Sequence, residues 1–277
     1  MRNTIAEDAA VRCVTVADGT GYQERPIMRH RAGSRSAGHD PVAEEMPLAL
    51  VVNGISHVVM MVTPRDFEEF AVGFALTEGL VDARGQIYDA DVRLHPRAAE
   101  VELTIAQEAF QRLKGRRRAL AGRSGCGVCG IESLELLDLA PEKMPAPRLP
   151  ADLGAAIARA AAGLPGHQAL MQATGGVHAA AWCGIDGAIS AVFEDVGRHN
   201  ALDKLIGHLA LRGADLRDGF AFMSSRASYE LARKAARMGI PMLATISAPS
   251  SLAIDIAEQA GLKLASFCRR DGFVEYT

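Results

Sequence analysis

Cys126 and Cys129 stand two residues apart in the run Gly122-Arg123-Ser124-Gly125-Cys126-Gly127-Val128-Cys129-Gly130. Glycines at Gly125, Gly127 and Gly130 allow positive φ angles and leave the backbone free to move. Arg116, Arg117, Arg118 and Arg123 lie just upstream, and Ile131 to Leu139 spaces its apolar residues as a short helix would. Positive charge and a helix N-terminus both favour thiolate over thiol, the form that attacks sulfur or binds metal. The pair is therefore suited to sulfur chemistry.

Three other uses of such a pair fit less well. A closed zinc site needs four ligands, and Cys13, Cys183 and Cys268 are isolated from one another, so no structural metal is expected. A thioredoxin-like pair opens a helix straight after a strand, whereas this one follows a basic helical run and a glycine loop. A zinc deaminase carries His-x-Glu and then Pro-Cys-x-x-Cys; Gly125 precedes Cys126, and no His-x-Glu triplet occurs.

A second group of polar residues lies in the C-terminal half. Strands are expected at Val177–Trp182, Ala188–Glu194, Phe220–Met223, Met242–Ile246 and Leu262–Phe267, and helices at Ala201–Leu211, Tyr229–Met238 and Ser251–Ala260. Such a βαβ series predicts a largely parallel sheet with ligands beyond the carboxyl ends of its strands. Thr174-Gly175-Gly176, Glu194 to Asn200, Ser224 to Ser228 and Ser247 to Ser251 fall at those ends. Serine turns that end a strand and open a helix offer amides, hydroxyls and the helix dipole to an anion, although the same serines can simply cap helices. Two such turns, with Ser224, Ser225 and Arg226 in one and Ser247 and Ser250 in the other, favour phosphate binding. His178 and His199 are pocket candidates. Cys268 reads as a small buried thiol beside the useful Arg269 and Arg270, and Cys13 and Cys183 as structural.

The rest of the chain must position these groups. At 277 residues, 49% hydrophobic and 23% charged, it can bury a large core, as one big domain or two intimate ones. A net charge of -3 argues against general nucleic-acid binding. The N-terminus lacks an apolar signal region, no stretch approaches the roughly 18 apolar residues of a membrane span, and five cysteines make no disulfide framework. These point to a cytoplasmic protein. Residues 1–45 lack sustained periodicity and read as a poorly ordered lead-in with one strand at Arg12–Val16. Pro47–Val52 and His57–Thr63 flank Asn53-Gly54 as a hairpin. Thr63-Pro64-Arg65-Asp66 supplies an N-cap and first turn for a helix with Phe67, Phe70 and Phe74 as plain core, stopping at Gly79. Strands at Val92–Leu94 and Val101–Ile105 and a helix at Gln107–Leu120 complete an α+β subdomain over 46–139. Four prolines between Ala140 and Pro150 mark a linker, with an α/β subdomain over 150–277 that opens on a helix at Ala151–Ala162.

The motifs G-R-S-G-C-G-V-C-G, T-G-G-V-H-A-A-A-W, E-D-V-G-R-H-N-A-L-D-K, S-S-R-A-S-Y-E and F-C-R together resemble the formate dehydrogenase accessory sulfurtransferase family, FdhD, from about Pro47 to Thr277. The resemblance implies a sulfurtransferase that takes sulfane sulfur from a cysteine desulfurase as a persulfide. It passes that sulfur to the bis(molybdopterin guanine dinucleotide) form of molybdenum cofactor, a bound substrate, before insertion into apo formate dehydrogenase. Cys126 then corresponds to the persulfide cysteine, with Cys129 assisting at most, and Phe267, Cys268, Arg269, Arg270, Asp271 and Gly272 to the cofactor-binding segment. The implied fold is a cytidine-deaminase-like α/β sandwich without the zinc signature, and the implied assembly a homodimer. A non-catalytic cofactor-binding chaperone for formate dehydrogenase is the alternative.

Overall fold

The structure is a computed structural model that describes residues 19–119, 141, 143, 144 and 148–277. The strand expected at Arg12–Val16, the helix at Ile131–Leu139 and the cysteine loop lie outside the described residues.

Strands β1 (Tyr22–Arg31) and β2 (Ser34–Ala43) form an antiparallel ribbon that turns at Ala32 and Gly33, with φ of 38° and 83°. This corrects the expectation of a poorly ordered lead-in over residues 1–45 for the part from Tyr22 to Ala43. Most of the ribbon is exposed on both faces, so nothing selects the apolar alternation by which a half-buried strand is recognised.

The first sheet has the order β4-β3-β6-β5, from β3 (Met46–Val52), β4 (Ile55–Val62), β5 (Ile87–His95) and β6 (Ala98–Ile105). In β3, Met46, Leu48, Leu50 and Val52 alternate into the core. The Asn53-Gly54 turn has φ of 46° and 76°, the two positive values that a primed hairpin turn requires. Helices α1 (Phe67–Thr77) and α2 (Gln107–Ala119) cover one face, where Phe70, Phe74 and Phe110 join the strand residues in a single cluster. Every residue of α1 from Phe70 to Thr77 is buried, as expected of a helix enclosed on all sides. Its N-cap is Asp66, in the left-handed region with φ 56° and no side-chain capping bond. Thr63, expected in that role, is used elsewhere: its hydroxyl accepts from the Val196 amide at 3.1 Å.

The second sheet has the order β12-β11-β10-β9-β7-β8, from β7 (His178–Gly184), β8 (Ile189–Asp195), β9 (Gly219–Met223), β10 (Met242–Thr245), β11 (Lys263–Arg269) and β12 (Gly272–Glu275). Only β9, β10 and β11 run parallel; β7, β8 and β12 pair antiparallel, so the largely parallel sheet is corrected to a mixed one. Hairpins add the outer strands, and an antiparallel pair needs no crossover helix. Helices α5 (Arg198–Leu211), α6 (Tyr229–Arg237) and α7 (Ser251–Ala260) pack on one face through Ala221, Met223 and Leu243, and α3 (Leu153–Gly163) packs on the other through Phe220, Phe222 and Ala244. The short α4 (Ala169–Thr174) precedes β7. Asp152 caps α3, accepting from the Ala155 amide at 2.9 Å. The protein is thus an α/β fold in which the helices of the two sheets pack back to back.

That contact is close. A Cβ at Gly73 of α1 would lie 1.8 Å from the Asp203 carbonyl oxygen, and one at Gly207 of α5 1.8 Å from that of Glu69. Only glycine allows these backbones to meet. Gly207→Ala is expected to lower stability by at least the roughly 1–3 kcal/mol of ordinary core overpacking, read as a shift in the urea midpoint. An unchanged midpoint would mean that the two helices do not sit this close.

Candidate functional site

The parallel strands β9, β10 and β11 end at Met223, Thr245 and Arg269 on one edge of the second sheet. Because β7 and β8 run antiparallel there, His178 at the start of β7 and Asp195 at the end of β8 reach the same edge. Helices α5, α6 and α7 start from that edge, so three positive helix ends collect on it.

The edge is set on a buried polar network. Asp195 and Lys204, both fully buried, lie 2.8 Å apart. Asp195 also accepts from the amides of Thr63 at 2.9 Å and Gly197 at 2.8 Å, and from the Asn200 side chain at 2.9 Å. Lys204 donates to the Thr63 carbonyl at 3.1 Å, and Asn200 to that of Met61 at 2.8 Å. Glu194, also buried, accepts from the Leu170 and Met171 amides at 2.8 Å each and so holds the start of α4. A second network joins Lys234 to Asp203, Glu78 and Thr77, each at 2.8 Å. Burial alone would raise the Glu78 carboxyl, but Lys234 and Arg233 hold it down to about 2.

Above this base His178, Arg198, His199 and Arg226 gather. Burial and the positive charge of Arg198, His199 and Arg226 push His178 below its ordinary value. The Arg198 Nε is buried without a hydrogen-bond partner among the described residues. Gly197, the N-cap of α5, offers no side chain to the first-turn amides. Arg226 is exposed. His199 places Nε2 3.3 Å from the Ser228 hydroxyl and 3.6 Å from a Glu230 carboxylate oxygen. The adjacent His199 imidazole, opposed by burial and reinforced by Ser228, lowers Glu230 to about 2.

The serine turns are closely tied to the fold. Ser224 Oγ accepts from the Ala179 amide at 2.8 Å, and the Ser224 amide donates to the Ala179 carbonyl at 2.9 Å. Ser225 is buried and donates to the Arg226 carbonyl at 3.1 Å. Ser250 caps α7 by accepting from the Ala253 amide at 3.3 Å. Ser247 uses backbone groups, its amide donating to the Ser225 carbonyl and its carbonyl accepting from Thr245 Oγ1 at 3.0 Å. A bridge between Ala227 and Pro249 joins the two turns side by side.

Phe267 is 43% exposed and has φ 54° at a break in the β11–β12 register. An aromatic residue held in the left-handed region is strained, and such strain concentrates at functional sites. Arg269 donates to the carbonyls of Ile246 and Cys268, so its guanidinium is anchored across β10 and β11. Cys268 is buried, which pushes its thiol up to about 11, and Cys183 likewise to about 12. Neither is poised as a thiolate. Arg270, Asp271 and Gly272 are exposed at the β11–β12 turn.

Of the residues expected at a site, His178, His199, Ser224, Ser225, Arg226, Ser247, Ser250 and Phe267 to Gly272 thus collect at one sheet edge. Cys126, Cys129 and Arg123 lie outside the described residues, and Arg116 to Arg118 fall in the last turns of α2. Sequence reasoning missed Arg198, Ser228 and Glu230 as individuals. Arg198 stands in a motif already marked as polar, but Glu230 gives no sign until helix α6 is seen to start beside α5.

Residues 43–277 match the FdhD/NarQ family. The chain is 66% identical over 258 residues to the sulfur carrier protein FdhD of Chromobacterium violaceum, covering 93% of this chain and 96% of that one. It is 63% identical over 261 residues to that of Burkholderia cenocepacia, with 92% and 94% covered, and 50% identical over 261 residues to that of Acinetobacter baylyi, with 93% of each covered. A solved structure of a protein from Desulfotalea psychrophila, assigned as a formate dehydrogenase accessory protein, superposes with a TM-score of 0.71. At 23% identity over 92% of this chain and 96% of that one, it shows a shared fold.

Glu230 makes the site sensitive to acid. Its carboxyl is lowered from an ordinary 4.5 to about 2, so its contribution to stability is complete above about 4.5 and is lost as pH falls towards 2. The difference in stability between wild type and Glu230→Gln should therefore shrink steadily between pH 5 and pH 2, measured by urea denaturation. A difference independent of pH would show that the His199–Glu230 contact does not bind the carboxylate form.

Proposed function

The chain belongs to the FdhD/NarQ family, and from that premise we propose that it is a sulfur carrier that loads sulfur on Cys126 and delivers it to a molybdenum cofactor bearing guanine dinucleotide ends, for use by formate dehydrogenase. In loading, the Cys126 thiolate attacks the terminal sulfur of a persulfide on a cysteine desulfurase. The new S–S bond makes the Cys126 persulfide, the donor's S–S bond breaks, and the donor cysteine leaves as thiolate. The arginines before Cys126 in the sequence favour its thiolate over its thiol.

The observation that carries the acceptor's identity is the convergence of His178, Arg198, His199 and Arg226 on the uncapped start of α5. Pyrophosphate needs several donors and positive charge at fixed distance, and a guanidinium whose Nε has no partner among the described residues, beside a helix N-terminus, supplies both. The Ser224 and Ser250 hydroxyls already accept amide hydrogens, so the arginines carry more of this binding than the serines. Arg269, anchored across β10 and β11, and the exposed Phe267 ring extend the same rim. The ring's face suits stacking on a base.

Cys126→Ala should abolish maturation of formate dehydrogenase while leaving the thermal transition of the carrier unchanged; full maturation by this variant would overturn the reading. GDP at a hundredfold excess over Kd should stabilise the protein by about 2.7 kcal/mol, ADP less, and Arg226→Ala should reduce the GDP shift. Equal shifts from GDP and ADP would remove the guanine nucleotide from the proposal.

A further inference from the structure

We propose that the ribbon β1–β2 is a docking arm for an acidic surface of the protein that receives the cofactor; the inference rests on the reading of the cationic rim as the cofactor's seat. The ribbon lies almost wholly ahead of residues 43–277, the span matched to the family, so membership of that family does not account for it. Ten residue pairs, from Tyr22–Ala43 to Arg31–Ser34, hold it together over a length of about 30 Å. A two-stranded ribbon is at best marginally stable by itself in water, and most of both faces of this one are uncovered among the described residues. A partner lying along one face would supply the missing contact.

The two faces differ, because side chains alternate along a strand. Arg25, Ile27, Arg29 and Arg31 share one face, opposite Asp40, Gly38, Ser36 and Ser34. Those partners are short, so the row stands clear of them, with neighbouring positions about 7 Å apart. Val42 adds exposed apolar surface to the same face, and Arg29 donates to Asp40 at 3.0 Å. From Met28 to Ala37 the chain carries Arg29, Arg31 and Arg35 and no acid. The ribbon's cations are arginines, with no lysine; the guanidinium fork matches a carboxylate with two parallel bonds, and arginine is the cation enriched in protein interfaces. Pro26 and Pro41, one on each strand, lack the N–H that a further strand would need, so the partner meets side chains and does not extend the sheet. Nucleic acid would meet the same guanidiniums, but a chain of net charge -3 repels a long polyanion running past the arm. The charge pattern therefore favours a protein surface bearing carboxylates.

The arm is rooted beneath the rim. The Gly21 carbonyl accepts from the Glu44 amide at 2.8 Å, and a Cβ at Gly21 would lie 2.9 Å from Thr63 Cγ2 and 3.2 Å from Leu170 Cδ2. The Thr63 amide donates to Asp195, and the Leu170 amide to Glu194. Gly176, two residues before His178, closes the other side, where a Cβ would be 3.4 Å from that of Ala43. The ribbon thus grows from the residues that carry Asp195 and His178, and a protein held on it stands beside the cofactor's seat. This position suits the recipient of the cofactor, which must come to the rim to collect it.

The test is binding of purified apo formate dehydrogenase to the full-length carrier by biolayer interferometry at low and high salt, with the thermal shift by GDP measured on every variant. Wild type should bind with a Kd that rises with salt. Arg31→Glu should weaken binding, and Arg25→Glu with Arg31→Glu should raise Kd by about tenfold or more, while both leave the Arg29–Asp40 pair in place. Arg35→Glu lies near Arg31 at the tip but on the opposite face, and should bind as wild type. The GDP shift should be the same in all of them. No binding by wild type, a wild-type Kd in the double variant, or equal losses from Arg31→Glu and Arg35→Glu would overturn the proposal. So would a DNA duplex or a cysteine desulfurase that responds to the double variant while the apoenzyme does not. Failure of the rim reading looks different: GDP then gives no shift in wild type, while apoenzyme binding that still depends on Arg25 and Arg31 upholds the arm.

Discussion

The pair of Asp195 and Lys204 is the constraint from which the rest of the site follows. Two fully buried charges 2.8 Å apart are tolerated only when their remaining hydrogen-bonding capacity is filled, and removal of one partner typically costs about 3–5 kcal/mol. Gly197 and Asn200 fill part of it locally, and the rest comes from the other half of the chain: the amide and carbonyl of Thr63, just past β4. The end of one sheet is thereby tied to the edge of the other. The chain leaving β8 has to turn at Asp195-Val196-Gly197, and the first residues after the turn are Arg198 and His199. Close packing of α1 on α5 at Gly73 and Gly207 fixes the direction in which α5 then runs. Rigidity below the rim and charge on it come from one short motif.

The rim differs in character from its base. Below it the charges are paired: Lys234 meets Asp203 and Glu78, and Lys204 meets Asp195. Among the described residues, the cations on it outnumber the acids and a buried nitrogen of Arg198 has no hydrogen-bond partner, and Phe267 is held in a conformation that aromatic residues avoid. Unpaired charge and backbone strain are disfavoured in the folded state unless the surrounding structure over-determines them, and a bound anion would relieve the first directly. The buried Cys183 and Cys268, with thiols pushed to about 12 and about 11, are poor nucleophiles. The proposed carrier chemistry therefore uses neither of them.

Much of the fold was legible because its elements are half-buried. Met46 to Val52 alternates since one side of β3 faces the core, and Asn53-Gly54 turns where positive φ is needed. The ribbon β1–β2 escaped notice because neither of its faces is buried. The regular helix spacing after β9 predicts a largely parallel sheet, although Asp186-Gly187, with Gly187 at φ 80°, signals the antiparallel β7–β8 hairpin. At the site, the polar motif from Glu194 to Lys204 could be recognised, but not how its labour is divided. Asp195, Asn200 and Lys204 turn inwards to Thr63 and Met61 while Arg198 and His199 turn to the rim. That division depends on a partner more than a hundred residues away in sequence, as the separation of 132 between Thr63 and Asp195 illustrates.

The most direct measurement is mass spectrometry of the peptide carrying Cys126 after the protein has been incubated with a cysteine desulfurase and cysteine, before and after addition of the molybdenum guanine dinucleotide cofactor. A carrier that loads at the glycine loop and unloads at the cationic rim gains the mass of one sulfur atom on Cys126 and loses it when the cofactor is added. A Cys126 peptide that never gains sulfur, in a protein that still supports formate dehydrogenase maturation, would contradict the carrier mechanism and leave a cofactor-binding chaperone in its place.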